Sequence, residues 1–527
     1  MPVSPEDDVD DARTLTNRIP FASAAGMPPV FSARSGPDGY QVDGPSEHRA
    51  GSAGAGDVFA QWRWDGQQLV VENDQWGVQP MFWAAAQNGV HVSTSIDALL
   101  DAGVPPTLDD SAMAVFLRTG YFIGDDTPFA QIRALSPAAR LTWSREGIKV
   151  ASHWIPPAAQ PVARADAAAE FSRLLTASVN RCSAGSAPTV VLLSGGHASR
   201  HILFALQALD RPPKRCVTIQ PYSSASADDV KLAAMLADAV GVKHLVLLQH
   251  SDRVGMQVLT QSLTHSCADE HAHFLPLRWY LQHLRFHAFD GLGGGLLSHS
   301  RYLDGVRNRL FAEARVSDIA NDVLGDPDGI EPALGSLIGP DGLKRFERCK
   351  AVARVASEAA LHISAPNPVA SFAFSTRIRR QGALSPYGVL EGCPISTPFL
   401  DSALVDFLLS LPFDAVADGR LHTDTLRQHY PRYAHIPFAQ QHRRADHRHV
   451  VRRDAVALLR VVSDTRSTLV HRSAVAARTL KAVASGSTSH LWFLPRIVHL
   501  LEVERRTRGE TVSAPAQTDP AAGTRAA

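Results

Sequence analysis

The stretch VVLLSGGHASRHILFAL, residues 190–206, decides the fold. Its first residues form a continuous apolar run, which is typical of a strand buried on both faces of a sheet. Ser194, Gly195 and Gly196 then form a glycine-rich turn before a helix predicted over Ser199–Leu209. Such a turn presents backbone N–H groups at the positive end of the helix dipole, where phosphate or pyrophosphate binds. An isolated turn of this kind is interpreted as a tight strand–helix connection with no ligand. Other segments of the sequence are therefore needed to decide whether this turn binds phosphate.

The segments after this turn alternate between strands and helices. Apolar runs at Cys216–Ile219 and Lys243–Leu248 predict strands, and the amphipathic segment Asp228–Val240 between them predicts a helix that ends before Gly241. This alternation is typical of a doubly wound parallel sheet, so we expect an α/β domain. From about residue 306 to residue 435 the pattern is mainly helical.

The sequence before residue 150 has short strands joined by turns. Asp65–Gly66 and Asn88–Gly89 each separate two alternating apolar runs, as in β-hairpins, and a third hairpin turns near Gly147. Between them, LDDSAMAVFLRTGYF predicts a helix with Asp109 or Asp110 as its N-cap. These features predict an antiparallel α+β domain.

Composition and spacing predict four regions. Residues 155–165 are rich in Pro and Ala and separate an N-terminal domain, residues 1–155, from the α/β domain, residues 165–440. Residues 441–510 are rich in Arg and His, which indicates a basic helical extension with solvated faces rather than a nucleic-acid site. Residues 511–527 lack large apolar side chains and are expected to be a disordered tail.

The overall composition is that of a soluble protein. A length of 527 residues favours more than one domain, and a formal net charge of zero gives no indication of a nucleic-acid partner. The N-terminal residues MPVSPEDDVDDARTLTN lack the apolar core of a signal peptide, and no run approaches the roughly 20 apolar residues of a membrane span. The five cysteines are scattered, so we expect reduced thiols and a cytoplasmic location.

Several segments resemble, in order, the asparagine synthetases and other N-type ATP pyrophosphatases. Ser194, Gly195, Gly196 and Ser199 match the S-G-G-x-D-S pyrophosphate loop of that family. FDGLGGGLLSHS, residues 289–300, lies where the family has S-G-E-G-x-D-E, and TPFLDSALVDFLLSLP resembles its P-F-L-D segment. In the N-terminal half, NDQWGVQPMFWA resembles the R-D-x-x-G-x-x-P-L-Y element of class II glutamine amidotransferase domains.

The resemblance implies a fold and an ancestral activity. The fold is an Ntn amidotransferase-like α+β domain followed by a doubly wound α/β synthetase domain with a PP-loop and a helical C-terminal tail. The activity is ATP-dependent amide formation through an acyl-adenylate, with Mg·ATP as cofactor and a carboxylate and an amine as substrates. The implied cofactor-binding residues are Ser194, Gly195, Gly196, Ser199, Gly291 and Gly293.

The residues that perform this chemistry in the family are missing. The first cysteine is Cys182, so we expect no glutaminase nucleophile in the N-terminal domain. The two metal-ligand aspartates fall at Ala198 and Gly295, the glutamate of S-G-E-G falls at Leu292, and the pyrophosphate lysine falls at Thr423 by a looser alignment. We therefore expect no metal site of the family type and impaired Mg·ATP adenylation.

Other side chains offer replacements. Asp269, Glu270 and Asp290 are carboxylates that we expect near the old ATP cleft, and Arg200 is a candidate to hold a phosphate. The histidines match no tight metal-ligand spacing, so we interpret them mainly as hydrogen-bonded or solvent-facing residues; they are His197, His201, His265, His271, His273 and His299.

An arginine cluster, Arg377, Arg379 and Arg380, has two interpretations. It binds an anionic substrate at the synthetase cleft, or it forms ion pairs with the N-terminal domain, which we favour. For the whole chain three functions remain open. These are a divergent ligase that uses an amine directly, a catalytically inactive homologue that binds or regulates a partner, and histidine-based chemistry without ATP.

Overall fold

The computed structural model describes most of the chain, from residue 28 to residue 510. The predicted disordered tail, residues 511–527, lies outside the described residues. The described ranges are 28–51, 58–185, 187–220, 225–250, 252–269, 271–284, 286–297, 304–325, 327–438, 448–464, 466–486, 491 and 493–510.

The N-terminal part contains two antiparallel five-stranded sheets, as the hairpin pattern predicts. Their strand orders are β2-β1-β7-β6-β8 and β10-β9-β5-β4-β3. The two sheets enclose an apolar core that includes Phe31, Trp62 and Trp143. The strands are β1 (Val30–Gly36), β2 (Gly39–Asp43), β3 (Glu47–Gly51), β4 (Phe59–Trp64), β5 (Leu69–Asn73), β6 (Phe82–Ala86), β7 (Gly89–Ser93), β8 (Arg133–Ala134), β9 (Ala139–Ser144) and β10 (Gly147–Ser152).

Two helices, α1 (Ile96–Asp101) and α2 (Asp110–Thr119), follow β7. Asp109 is the N-cap of α2, because its side chain accepts from the backbone of Ser111 and Ala112. The helix is shorter than the predicted segment since Gly120, at φ +86°, ends it in a left-handed conformation.

The next part has the predicted doubly wound α/β arrangement. Its five parallel strands lie in the order β13-β12-β11-β14-β15, with β11 at the centre. These strands are β11 (Thr189–Leu192), β12 (Arg215–Gln220), β13 (Lys243–Leu248), β14 (His287–Phe289) and β15 (Ile395–Ser396), and the helices beside them are α3 (Arg164–Cys182), α4 (Ala198–Ala208), α5 (Ala225–Ala239), α6 (Arg253–Leu263) and α7 (Leu275–Leu284).

The remainder is mainly helical, as expected, and includes two short π-helices, Phe374–Ile378 and Ser385–Val389. None of the described helices is both long and apolar enough to cross a membrane. The α-helices are α8 (Gly305–Ala312), α9 (Val316–Leu324), α10 (Pro327–Leu337), α11 (Pro340–Arg345), α12 (Arg348–Ala360), α13 (Pro368–Ala373), α14 (Ser402–Ser410), α15 (Phe413–Val416), α16 (Leu421–His429), α17 (Arg448–Asp464), α18 (Arg472–Ser485) and α19 (Leu494–Thr507).

The C-terminal helices are more deeply packed than the basic composition predicts. Helix α19 is buried on most of its surface, including His499, whose ring stacks on Phe116 of α2 at 3.8 Å between ring centroids. Arg506 donates to Asp97 and to Ser266, which belong to the N-terminal and the α/β parts. The expectation of a solvated extension is wrong for α19, because its charges pair inside the protein.

Trp76 joins the N-terminal and α/β parts. Its side chain is 2% exposed, its indole N–H donates to the Leu400 carbonyl at 3.2 Å, and its ring meets Phe374 edge-on at 5.2 Å. Val58 and Val78 pack into the same apolar cluster as residues 370–409. The two parts therefore share a continuous core.

Candidate functional site

The sheet order brings the two predicted site segments together. Strands β11 and β14 are parallel neighbours, with Val191 opposite Phe289. The turn that begins at Ser194 and the turn that begins at Asp290 therefore leave the same edge of the sheet side by side. Ligands of doubly wound folds bind at this edge, outside the carboxyl ends of the strands.

The N–H groups of the first turn are already used inside the protein. The Ser194 N–H donates to Ser199 Oγ at 3.1 Å, and the Gly196 N–H donates to Ser194 Oγ at 3.2 Å. The Gly195 N–H donates to Asp229 Oδ1 of α5 at 3.0 Å. A carboxylate of the chain itself therefore accepts the bond that a phosphate oxygen accepts at such a turn.

Asp229 was not predicted as a site residue. Burial raises its pKa, and the hydrogen bond from Gly195 opposes that rise. The sequence places Asp229 in a helix that follows the next strand, with nothing in its spacing to indicate contact with the turn.

Ala198, one of the two positions of the lost metal ligands, is in close packing contact with the turn that precedes the other position, Gly295. A Cβ atom added at Gly294 would lie 2.4 Å from Ala198 Cβ, and one added at Gly291 would lie 2.9 Å from it. Gly293 has φ +94° and lies against Phe399 and Leu400. Because Ala198 fills this space, a larger side chain there requires residues 291–294 to move.

Leu292, where the family has glutamate, belongs to an apolar environment. It packs against the cluster that contains Trp76, and a Cβ added at Gly382 would lie 2.8 Å from Leu292 Cδ1. Leu292 therefore makes apolar packing contacts at the position where the family has a glutamate.

Histidine and phenylalanine rings cover the turn. His197 stacks on His422 of α16 at 5.0 Å and on Phe438 at 4.1 Å between ring centroids. His422 Nε2 donates to the Gly294 carbonyl at 2.8 Å, and His201 lies 5.0 Å from the His422 ring. Thr423, the predicted position of the family lysine, instead bonds the Arg420 carbonyl of its own helix.

The buried His201 and His422 rings carry no charge at neutral pH. Burial lowers the pKa of His422 to about 3, and burial also lowers the pKa of His201 well below its usual value. They therefore offer no positive charge to a polyphosphate.

The prediction that Arg200 holds a phosphate is wrong in this arrangement. Its side chain is buried, and it donates to the carbonyls of Ile436 at 2.8 Å, Pro437 at 2.7 Å and Gly195 at 3.3 Å. Its guanidinium also lies 4.1 Å from the centre of the Phe438 ring. Arg200 thus fixes residues 436–438 beside the turn.

The other candidate residues are dispersed. Asp269 was expected near the cleft, but it pairs with Arg496 at 3.3 Å and bonds the Gly120 carbonyl through its N–H, so that expectation is wrong. His265 and His271 are buried elsewhere, and burial lowers the pKa of each to about 4. His273 lies against Phe274. Glu270 and His299 lie outside the described residues.

Within the described ranges there is no group of three or more His, Cys, Asp or Glu side chains that can hold a metal ion. This geometry does not support the hypothesis of histidine-based metal chemistry.

Of the carboxylates predicted from the sequence, Asp290 lies at the sheet edge. It follows β14, its Oδ1 accepts the Leu292 N–H at 2.6 Å, and burial raises its pKa to about 6. A carboxyl group with this pKa exchanges its proton near neutral pH.

The arginine cluster joins the two parts of the chain, as favoured, but mainly through backbone carbonyls. Arg379 donates to Gly124 at 3.0 Å and to Leu135 at 2.7 Å, while its ion pair with Asp125 is longer, at 3.5 Å. Arg380 donates to the Asp126 carbonyl. Arg377, by contrast, lines a small surface pocket.

The amidotransferase-like element forms a buried turn. Asp74 accepts from the backbone of Trp76 at 3.0 Å and Gln79 at 3.3 Å, and burial raises its pKa to about 6. Gly77 adopts φ +59°, with Arg379 Nε 3.2 Å from the position of an added Cβ. This turn therefore presents Trp76 to the α/β part.

Two family models match successive parts of the chain. A glutamine amidotransferase domain family matches residues 55–154, and the asparagine synthase family matches residues 170–275. An amidotransferase domain followed by an asparagine synthase domain is the asparagine-synthetase-like order. No curated protein matches the chain.

Two solved structures share a limited likeness with the chain. One is described as the allosteric regulatory enzyme of purine biosynthesis, at 14% identity and a TM-score of 0.14. The other is glutamine phosphoribosylpyrophosphate amidotransferase from B. subtilis complexed with ADP and GMP, at 12% identity and a TM-score of 0.14. Each likeness covers 36% of this chain and 47% of the other, so the chain spans about half the length of these structures.

Proposed function

We propose that the chain is an asparagine-synthetase-related protein that acts by binding a partner and does not adenylate a carboxylate at its glycine-rich turn. The bond from the Gly195 N–H to Asp229 supports the second part of this proposal, the absence of adenylation, because it occupies the anion-binding position with a carboxylate of the chain. A second negative group at the same place is opposed by charge repulsion.

The residues present do not fit Mg·ATP. A magnesium ion needs oxygen ligands, and neither Ala198 nor Gly295 offers one from its side chain. The nearest guanidinium, Arg200, already donates to three carbonyls. We therefore propose no reaction step that depends on Mg·ATP at this place.

We also propose that the N-terminal domain has a structural role. The first cysteine of the sequence is Cys182, at the end of α3, and burial raises the pKa of its thiol. The amidotransferase-like element of the N-terminal domain packs Trp76 against residues 374 and 400. The described cysteines are free thiols, which supports a reducing compartment such as the cytoplasm.

An assay of adenylation tests the proposal. The purified chain is incubated with Mg·ATP, a panel of carboxylates, and ammonia or primary amines, and the release of AMP and pyrophosphate is measured. We expect no release above the buffer rate, while an authentic asparagine synthetase in parallel gives turnover. AMP formation by the native chain that the turn variant Gly196→Val abolishes would contradict the proposal.

A divergent amide ligase is the second candidate, and Asp290 is the observation that favours it. A carboxyl group with a pKa of about 6 at the carboxyl end of β14 is suited to accept a proton from an amine. The same assay separates the two functions, since a ligase of this kind forms AMP and loses that activity in Asp290→Asn.

A further inference from the structure

Histidine rings fasten α16 to the two turns of the candidate site. His422 of α16 is 0% exposed, His201 of α4 is 1% exposed, and their ring centroids lie 5.0 Å apart. His422 Nε2 donates to the Gly294 carbonyl at 2.8 Å, which attaches α16 to the turn after β14. The ring of His197, the N-cap of α4, stacks on His422 at 5.0 Å. One helix is therefore held against both turns by three imidazole rings.

Each of the two buried rings has one nitrogen without a partner among the described residues. These atoms are His422 Nδ1 and His201 Nε2. Because His422 Nε2 carries the proton that it donates to Gly294, Nδ1 is the atom that takes up a second proton. The N–H group formed there has no acceptor, and an unsatisfied buried donor is destabilising.

The surroundings of the two buried rings do not offset a positive charge. The charged or titratable groups that act on them, besides each other, are His197 and Arg200. No carboxylate in the described ranges pairs with either ring, and the one acid of α16, Asp424, pairs with Arg164 of α3 at 2.7 Å. Aromatic side chains from the other packed segments complete the contacts of the three imidazole rings; they are Phe171, Phe399 and Phe438.

We propose that His197, His201 and His422 form an acid-sensitive latch, which holds α16 over the glycine-rich turn at neutral pH and releases it when the buried rings take up protons. Protonation of these rings places positive charges beside Arg200, where like charges repel and no counter-ion is packed. Exposure of the rings to solvent removes both this repulsion and the unsatisfied donor. Access to the turn thus depends on pH, whether or not the turn takes part in adenylation.

The direction of the pH effect follows from the pKa of the buried rings. Burial lowers the pKa of His422 to about 3, whereas an unperturbed histidine has a pKa of 6.5. The neutral ring stabilises the closed arrangement fully above pH 6.5, and this contribution is progressively lost as pH falls toward about 3. Between pH 7.5 and pH 5.0, each histidine released in this way shifts the equilibrium toward the open arrangement by about thirtyfold.

Hydrogen–deuterium exchange followed by mass spectrometry tests the latch. Protection factors, which correct for the pH dependence of chemical exchange, are measured at pH 7.5 and pH 5.0 for peptides that cover residues 421–429. Helix α9, which contains no histidine, is the internal reference. The native chain is compared with His422→Gln, whose amide N–H is able to donate to Gly294, and with His429→Gln, which changes an exposed histidine of the same helix. Circular dichroism checks that the variants fold.

We expect the native protection factor of residues 421–429 to fall at least about thirtyfold at the lower pH, and that of α9 to change less than about threefold. The fall should be about thirtyfold smaller in His422→Gln and unchanged in His429→Gln. If His422→Gln does not fold, His201→Gln replaces it with the same expectation. Three results would overturn the inference: equal native protection at both pH values, a fall in His422→Gln or its replacement as large as in the native chain, or an equal fall in α9.

Discussion

At the residue scale, Ala198, which stands where the family has a metal-ligand aspartate, packs closely against Gly294, the residue before the second ligand position. The small side chain of Ala198 also lets the two turns approach each other, since a Cβ at Gly294 would lie 2.4 Å from Ala198 Cβ. The residue type at position 198 therefore both lacks the ligand of the family and allows this close packing.

The variant Gly294→Ala tests this packing. The added methyl group meets Ala198 and Phe399, and overpacking of this kind reduces the free energy of unfolding by about 1–3 kcal/mol. Gly305→Ala at the start of α8 is the control, because an added Cβ there meets nothing within 4 Å. Urea denaturation measures both, and an unchanged midpoint for Gly294→Ala would show that the turns are not in contact.

The raised pKa of Asp290 gives a pH dependence with a definite sign. The pKa is about 6 in the folded protein and 3.8 for an unperturbed carboxyl, so the native state holds the proton more tightly. The contribution of this group to the free energy of unfolding is fully present below pH 3.8 and is lost as pH rises through about 6.

Asp290→Asn removes this titration. We expect the variant to be more stable than the native chain at pH 7.5, because it carries no buried charge, and to lose that advantage near pH 4. Urea midpoints at the two pH values measure the difference. A pH-independent difference would mean that Asp290 ionises normally.

Single residues also show what the sequence could not predict. Ser194, Gly195 and Gly196 were correctly placed in a turn after a buried strand, and Ser199 in the helix that follows, because that pattern is local. The contact of Asp229 with Gly195 joins residues 34 positions apart, and no local pattern predicts it. Two acceptors of Arg200 lie on residues 436 and 437, and this distant contact is likewise not predicted by a local pattern.

At the element scale, α19 is the main departure from expectation. Its sequence, LPRIVHLLEVERRT, has charges on several faces, which usually indicates solvent. Arg506 pairs with Asp97, and Glu504 accepts from Thr468, so the charges are satisfied internally while the apolar side chains join the largest core. The composition of a helix indicates that charged side chains are present. It does not indicate whether those side chains pair with other residues of the same chain or face solvent.

The helix α19 should therefore contribute strongly to stability. Leu500 is 0% exposed, and we expect Leu500→Ala to lower the free energy of unfolding by about 2–5 kcal/mol. Leu480 of α18 is 60% exposed, and Leu480→Ala should change it by less than about 0.5 kcal/mol. Equal effects in chemical denaturation would mean that α19 does not pack as described.

At the scale of the whole molecule, strand and helix patterns predicted both folds and their order, because periodicity is a local property. The way in which the two parts join depends on Trp76, whose partners come from residues 374 and 400. Local pattern does not contain that information.

This shared core predicts one cooperative unfolding transition in scanning calorimetry. Trp76→Ala should cost about 3–5 kcal/mol and separate the transitions of the two parts. Gln75→Ala, in the same turn but only partly buried, should leave a single transition. Two transitions in the native chain would contradict the shared core.

The binding of Mg·ATP, measured by calorimetry on the native chain, tests the central claim most directly. Asp229→Ala, which frees the Gly195 N–H, and Asp238→Ala, an exposed acid of the same helix, are measured beside it. We predict no binding by the native chain or by Asp238→Ala at millimolar Mg·ATP, and at most weak binding by Asp229→Ala. Micromolar binding by the native chain would contradict the claim that its own side chains occupy the site.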